Sequence, residues 1–218
     1  MASFKYDVKL DQQQFSIAAT SEIKAILDRT ISQLIRKIRS GLVAYVEEKL
    51  RKGPNDTYYS LDIGELRRDF GFRAGENVGE RVVKAVSGSI ELTKLGSTSA
   101  SLGGIRLQLL KGGIEFLLDK GFGAYDSNGN TVDWLRWLLT AGDTIVIADY
   151  QVMKEKGTPL KGSRSGYALM VSPKMSKGFR VDPNHSGTID DNWITRALIA
   201  TEIDMLEKLQ KGLEDLLR

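Results

Sequence analysis

An α+β fold, with long N- and C-terminal helices around small antiparallel β-hairpins, is what this sequence predicts. Three observations predict it. Residues 21–52 place Leu27, Ile31, Leu34, Ile38, Leu42, Tyr45 and Leu50 mostly at three- or four-residue steps, the spacing of a helical stripe. The C-terminal residues repeat that spacing with Ile199, Ile203, Leu206, Leu209, Leu213 and Leu216. Between the two stripes, residues 89–95 and 104–110 alternate apolar and polar across a turn-rich stretch, the pattern of a hairpin with a longer loop. No internal repeat and no βαβ alternation is present, which argues against a parallel nucleotide-binding sheet.

Each element can be argued in order. Residues 1–20 are polar and glutamine-rich and read as an N-terminal arm; residues 21–218 read as a single domain with an insertion-like middle region over about 53–130. Thr20 or Ser21 can cap the first helix, with Glu22 in its first turn, where a negative charge suits the helix dipole. Gly53-Pro54-Asn55-Asp56 stops it. At roughly 45 Å by its rise per residue it is long for a compact domain. Its outer face, with Lys24, Asp28, Arg36, Lys37, Arg39 and Glu48, reads as solvated or as packed on a neighbouring subunit. Asp62 can cap a short helix that Gly71 ends, and residues 77–86 read as a second. Residues 113–120 are a short apolar helix or turn, and 121–130 a loop with Asn128-Gly129 at its tip. Residues 131–139 suggest a helix presenting Trp134 and Trp137 on neighbouring faces, broken by Ala141-Gly142-Asp143. Residues 144–152 read as a strand, 165–172 as its antiparallel partner, and 153–164 as a long mobile loop between them. Thr188 with Asp191 makes an approximate capping box for the terminal helix, and Trp193 with Ile194 would pin that helix to the sheet.

Composition narrows the function classes. In 218 residues, 31 Lys and Arg stand against 28 Asp and Glu, a net charge of +3 that permits contact with nucleic acid without arguing for it. The absence of cysteine excludes disulfides, thiolate metal sites and cysteine nucleophiles. No apolar run approaches the ~20 residues that span a bilayer, and residues 1–20 lack the apolar core of a signal peptide. The expectation is a protein made in a cytoplasm, working there or in particles built there, with no membrane partner.

Catalytic constellations mostly fail to assemble. His185 is the only histidine, so a Ser-His-Asp arrangement would depend on it alone, and its neighbours Asn184 and Ser186 read as loop residues. No phosphate-binding glycine loop is present. Residues 126–130 begin like a calcium loop, but Thr131 stands where that loop needs glycine and Trp137 where it needs glutamate, so a hairpin or Asx turn fits better. Asp190 and Asp191 sit at a helix start, where the dipole already favours acids. The reading is a non-enzyme with no cofactor and no metal. One charge feature remains: Lys154, Lys156, Lys161, Arg164, Lys174, Lys177 and Arg180 fall in a window whose only acid is Glu155. It reads as a solvated loop, as a contact with DNA phosphates, or as a contact with an acidic face of a partner ring.

Three stretches carry a resemblance. They are YYSLDIGELRRDFG at 58–71; WLRWLLTAGD at 134–143; and SRSG at 163–166 with FRVDP at 179–183 and GTIDDNWITRA at 187–197. In content, order and spacing they resemble a family of neck or tail-completion proteins of contractile-tailed bacteriophages. The final stretch is the most specific, a Gly-Thr turn followed by an N-[FW]-I-x-R-A helix start. The resemblance covers about 58–200, with the long N-terminal helix in keeping.

What the resemblance implies is a virion structural protein without enzymatic activity: a homo-oligomeric ring of about six or about twelve copies with head-to-tail interfaces. Such a ring is a head–tail connector. It lies between the portal or adaptor and the terminator, tube and sheath proteins of the tail, and packaged DNA passes through it. A tail terminator capping the tail tube needs the same kind of unit and stays open as an alternative. A DNA-binding protein using the basic loop 154–180 is the alternative of another class. On physical grounds, Trp134 and Trp137 are core anchors or an interface hot spot. Arg164 and Arg180 are candidates for interface ion pairs or for positions facing DNA. Asn192 and Arg196, one helical turn apart, are candidates for a fixed contact. Lys154, Lys156, Lys161, Lys174 and Lys177 are candidates for a channel- or partner-facing basic loop.

Overall fold

The structure, a computed structural model, describes residues 4–11, 20–98, 101–109, 112–119, 121–127, 130–147, 151–154, 160–161, 163–166, 168–171 and 178–217. Its elements follow in chain order. They are β1 (Phe4–Asp11), α1 (Thr20–Arg51), a 3-10 turn (Pro54–Asp56), α2 (Thr57–Asp62), α3 (Glu65–Asp69), α4 (Val78–Gly88), β2 (Glu91–Leu95) and β3 (Ser101–Leu109). Then come α5 (Gly113–Leu118), β4 (Tyr125–Ser127), β5 (Asn130–Val132), α6 (Trp134–Thr140), β6 (Gln151–Lys154), β7 (Ala168–Val171) and α7 (Trp193–Leu217). The architecture is α+β, with long helices at either end. One antiparallel sheet runs β1-β3-β2, and two separate hairpins are formed by β4-β5 and β6-β7.

Helix α1 is the spine. It buries Leu27, Ile31, Leu34, Leu42, Val46 and Leu50, one stripe at helical spacing. It stops at Gly53 because Pro54 pushes the residue before it into extended backbone, and Gly53 lies at φ −61°, ψ 167°. The long helices pack antiparallel. Lys208 sits 3.4 Å from the Tyr45 ring centroid, Asp204 accepts a hydrogen bond from the Tyr45 hydroxyl, and Gly212 lies against Leu34. On another side α1 meets α4 and strands β2 and β3. At the α4 contact the buried Glu47 carboxylate accepts hydrogen bonds from Lys84 (2.8 Å), Ser87 (3.0 Å) and Arg51 (3.1 Å), and Arg51 turns on to Glu80 (2.7 Å). In the sheet, Ile105, Leu107 and Leu109 of β3 are buried, and Leu92 lies opposite Leu107 in register.

Several expectations from sequence are corrected here. Residues 4–11, read as part of an N-terminal arm, form β1 and pair antiparallel with β3, Tyr6 opposite Leu107. Residues 144–147 are not strand: Ile147 makes only an isolated bridge with Phe179, residues 148–150 lie outside the described residues, and the strand proper is β6, paired with β7 as anticipated. Met153 and Lys154, read as the start of the long loop, belong to β6; residues 155–159 and 162 lie outside the described residues, and Leu160 N donates to Gly166 O (2.8 Å). Residues 131 and 132, read as helix, and 125–127 and 130, read as loop, form strands β4 and β5, so α6 begins at Trp134. The calcium-like stretch is the β4-β5 hairpin. Asp62 does not cap α3, whose N-cap is Gly64; it ends α2, and its carboxylate accepts from Gly79 N (2.9 Å) in the first turn of α4. Gly71 ends α3 as read. At φ +66° it closes a Schellman turn, with Gly71 N bonded to Arg68 O and Phe72 N to Arg67 O.

The terminal helix departs in phase from its expected stripe in its first half and keeps Leu209 and Leu213 buried in the second. Ile199 and Ile203 are 52% and 70% exposed, while Ile194, Leu198, Thr201, Met205, Leu209 and Leu213 face inward. A buried threonine, bonded to Leu198 O (2.7 Å), occupies a place in the stripe where only apolar residues had been counted. Leu206 is half-buried and the Leu216 side chain lies outside the described residues. The cap is Asn192, not Thr188: its Oδ1 accepts from Ile194 N and Thr195 N, and Thr195 Oγ1 accepts from Asn192 N in return. Trp193 and Ile194 are both buried in the core, and Trp193 lies beside the Gly53 turn, where a Cβ on Gly53 would come 3.8 Å from its ring.

Candidate functional site

The three resembling stretches are far apart in sequence and together in space. Phe70 and Phe72, where α3 ends, meet Trp134 of α6 at centroid distances of 6.0 and 4.9 Å, the second edge-on at 83°. Phe179 approaches Phe70 at 6.4 Å and Trp137 at 6.1 Å, and Tyr125 of β4 stands edge-on to Phe72 at 6.2 Å. Edge-to-face arrangements of this kind suit the ring quadrupoles. Trp134 is 1% exposed, and its indole N–H reaches Phe122 O at 3.1 Å, so the core accepts its polar end at no cost. Trp137 is half-buried on the rim of the same cluster. The two tryptophans thus divide the roles read from sequence: Trp134 is a core anchor, and Trp137 keeps an exposed edge.

Backbone hydrogen bonds stitch the stretches together. Val146 N donates to Phe179 O (2.8 Å) and Phe179 N to Ile147 O (2.7 Å). Gly187 N donates to Leu138 O (3.0 Å), and Gly142 N to Gly187 O (2.8 Å). Gly187 is required there for space, because a Cβ would fall 2.5 Å from Asn192 Cβ. Asn192 is fully buried and spent on the α7 cap and on Thr188 O. Arg196 pairs with Asp191, Nη2 to Oδ2 at 3.0 Å, and holds that carboxyl below the usual carboxylate range. The structure therefore does not present Asn192 and Arg196 as one outward-facing pair.

The basic residues divide as well. Arg164 is bound on every side. Its Nη2 and Nη1 reach the two Glu76 oxygens at 2.7 and 3.0 Å, and Nη1 also donates to Gly71 O (3.1 Å). Its guanidinium lies 4.2 Å from the Tyr125 ring centroid. Burial pushes the Tyr125 phenol up against the pull of Arg164, and the neutral hydroxyl donates to Phe70 O. Arg180 meets Asp143 at 3.1 Å, but both side chains are more than half exposed, where such a pair is worth little. Lys161 is exposed. Lys154 ends β6 opposite Ala168, its side chain outside the described residues. Lys156, Lys174 and Lys177 lie outside the described residues altogether.

His185 sits in the turn before α7 with Nδ1 3.1 Å from Thr57 Oγ1, while the Asn55 amide donates to Asn184 O. Burial pushes the imidazole below its usual range, against the opposing fields of Asp182, Glu65, Asp69 and Asp56. Thr57 is 1% exposed, so no substrate reaches its hydroxyl as a nucleophile. The arrangement ties the turn after α1 to the turn before α7. Among the described residues no three His, Asp or Glu side chains have metal-binding spacing.

Sequence reasoning missed Glu76 and Tyr125, the partners of Arg164, and the charge cluster of Glu47 on α1 with Glu80 on α4. Glu47–Arg51 and Glu80–Lys84 are four-residue helix pairs, but the contacts that join separate segments have no local mark: Glu76 lies 88 residues from Arg164 and Glu47 37 from Lys84. Comparison with protein-family models, with curated proteins and with solved structures gives no match for this chain.

Proposed function

We propose that this chain is a structural subunit, without enzymatic activity, of an oligomeric ring at the head–tail junction of a contractile-tailed bacteriophage. In this reading it joins the portal-bearing capsid to the tail and lets DNA pass. The observation that carries the reading is the convergence of the resembling stretches. Residues 58–71, 134–143, 163–166, 179–183 and 187–197 resemble neck and tail-completion proteins in order and spacing. Here Phe70 of the first stretch, Trp134 and Trp137 of the second and Phe179 of the third meet in one aromatic cluster, Arg164 donates to Gly71 O, and Gly187 is bonded to Leu138 and Gly142. The surroundings are in keeping: Arg164, Arg180 and Arg196 are engaged with carboxylates, and Ile199 and Ile203 of α7 are left exposed.

The reading is tested by quantifying the chain by mass spectrometry in purified virions and in tails separated from their heads. Presence in virions and absence from free tails is the result expected of a neck ring. Presence in both would move the assignment to a tail terminator. Absence from both, with salt-dependent binding of the isolated chain to duplex DNA, would replace the reading with a DNA-binding protein.

A further inference from the structure

Helices α1 and α7 meet through Leu34 and Tyr45 on one side and Asp204, Lys208 and Gly212 on the other, and each turns a second face outward. On α1, Arg29, Arg36, Lys37 and Arg39 are exposed, and no acid stands between Asp28 and Glu47. Those two acids are engaged by Lys94 and Lys84, and none of the four cations meets a carboxylate among the described residues. On α7, Glu207 and Glu214 are exposed and meet no cation among the described residues. One turn and two turns before Glu207, Ile203 and Ile199 are 70% and 52% exposed, an apolar surface that is better buried.

The two faces have the same spacing. On α1 the exposed positions 29, 33, 36, 40 and 44 follow steps of four, three, four and four residues. On α7 the exposed positions 214, 210, 207, 203 and 199 follow the same steps in reverse. Such steps keep each set along one side of its helix. Laid antiparallel, the two sets put Arg29 opposite Glu214 and Arg36 opposite Glu207, over about 22 Å from end to end. Ile203 and Ile199 then fall opposite Ser40 and Ala44, next to Gly41, where a Cβ would meet nothing within 4 Å. Large side chains on one helix thus meet small ones on the other, a fit that packed helices favour.

We infer that the basic face of α1 in one copy of this chain docks antiparallel on the α7 face of a second copy, in this register. The contact is head-to-tail: it uses α1 of one copy and α7 of the next, and leaves a free α7 and a free α1 to repeat it. A modest rotation from copy to copy keeps the helix directions, so α1 meets the next α7 running the opposite way, as the two do within one subunit. The isoleucines supply the apolar burial, while the exposed arginine–glutamate pairs add little affinity and fix the register. The inference rests on the ring reading only for the closure of successive contacts into a ring.

The chain has no cysteine, so introduced pairs are read without background. Full-length Ser40→Cys/Ile203→Cys, oxidised at low salt, should give a ladder of disulfide-linked oligomers on a denaturing gel, and each single-cysteine variant should stop at dimers. Sedimentation of the wild type should show concentration-dependent association, weakened about tenfold or more by Arg36→Glu and by Glu207→Arg. Mixing these two variants, or combining both substitutions in one chain, should restore association, because arginine again faces glutamate. Circular dichroism should find every variant as helical as the wild type, since all four positions are exposed. A wild type that stays monomeric would overturn the inference, as would association that neither reversal weakens. Dimers in place of the ladder would overturn it too, since a two-fold contact links the same two chains twice. Loss of salt-dependent binding to duplex DNA in Arg36→Glu, with association unchanged, would give the α1 face to nucleic acid instead. These outcomes bear on the contact, and the virion measurement bears separately on the ring reading.

Discussion

Trp134 shows most plainly how single side chains hold this molecule. From α6 it packs on Phe70 and Phe72 at the end of α3, with its indole nitrogen satisfied by Phe122 O. Trp134→Ala should cost about 3–5 kcal/mol in chemical denaturation, the range for deleting a large buried aromatic. Trp137→Ala should cost clearly less, because Trp137 sits on the rim. Equal losses would contradict this division of roles. His185 makes a prediction of the opposite kind, in pH rather than in volume. Its folded pKa is depressed by burial, so the unfolded chain binds the proton more tightly. The stability it contributes is complete above the ordinary histidine pKa of about 6.5 and is lost as pH falls from there through the folded value. The wild type should therefore lose more thermal stability than His185→Gln when pH drops from about 7.5 to about 5.5, across the histidine range. Equal losses would show that His185 is not the group that titrates.

At the scale of elements, the junction of α1 with α4 rests on charge as much as on apolar burial. Burial alone would push the Glu47 carboxyl up, but hydrogen bonds from Lys84, Ser87 and Arg51 overcome this and hold it below the usual range, and Arg51 does the same for Glu80. Glu47→Ala should cost about 1.5–3 kcal/mol, the range for hydrogen bonds to a charged group. Because both carboxyls are depressed, the stability they contribute is present above the ordinary glutamate pKa and lost as pH falls below it. Urea titrations of wild type and Glu47→Ala at neutral and acid pH check both statements, and a difference that persists undiminished in acid would contradict the second. These elements were also the legible ones. Helices α1 and α4 and the β2–β3 hairpin follow from periodicity because each packs one face on the core. Strand β1 was missed: residues 4–11 alternate strictly as FKYDVKLD, yet they read as part of an arm because the partner β3 lies about a hundred residues on and nothing local marks it. Residues 144–147 misled in the other direction: Ile145, Val146 and Ile147 favour strand intrinsically, yet they follow the Gly142 turn and Ile145 is left exposed. The α7 stripe was misphased because Thr201 is buried by bonding back to its own helix.

For the whole molecule, one core joins residues from α1 through α7, and the long helices lie antiparallel along it. The candidate site was legible only in part. The motif residues Trp134, Arg164, Asn192 and Arg196 stand out in the sequence, but their work is visible only with their partners. Arg164 and Arg196 face carboxylates of this same chain, and Asn192 is consumed by a cap. Residue type and spacing suggest that an arginine is special, whereas its partner depends on how distant segments come together. The proposed ring would then draw its interfaces from what these internal pairs leave exposed, Ile199 and Ile203 among them. Head-to-tail contacts of that kind close into a ring only if their rotation closes. The measurement that tests the central claim most directly is electron cryo-microscopy of the head–tail vertex in particles carrying a tagged copy of this chain. The account predicts a closed ring of tag density between capsid and tail. Intact particles with no tag density at that vertex would contradict it.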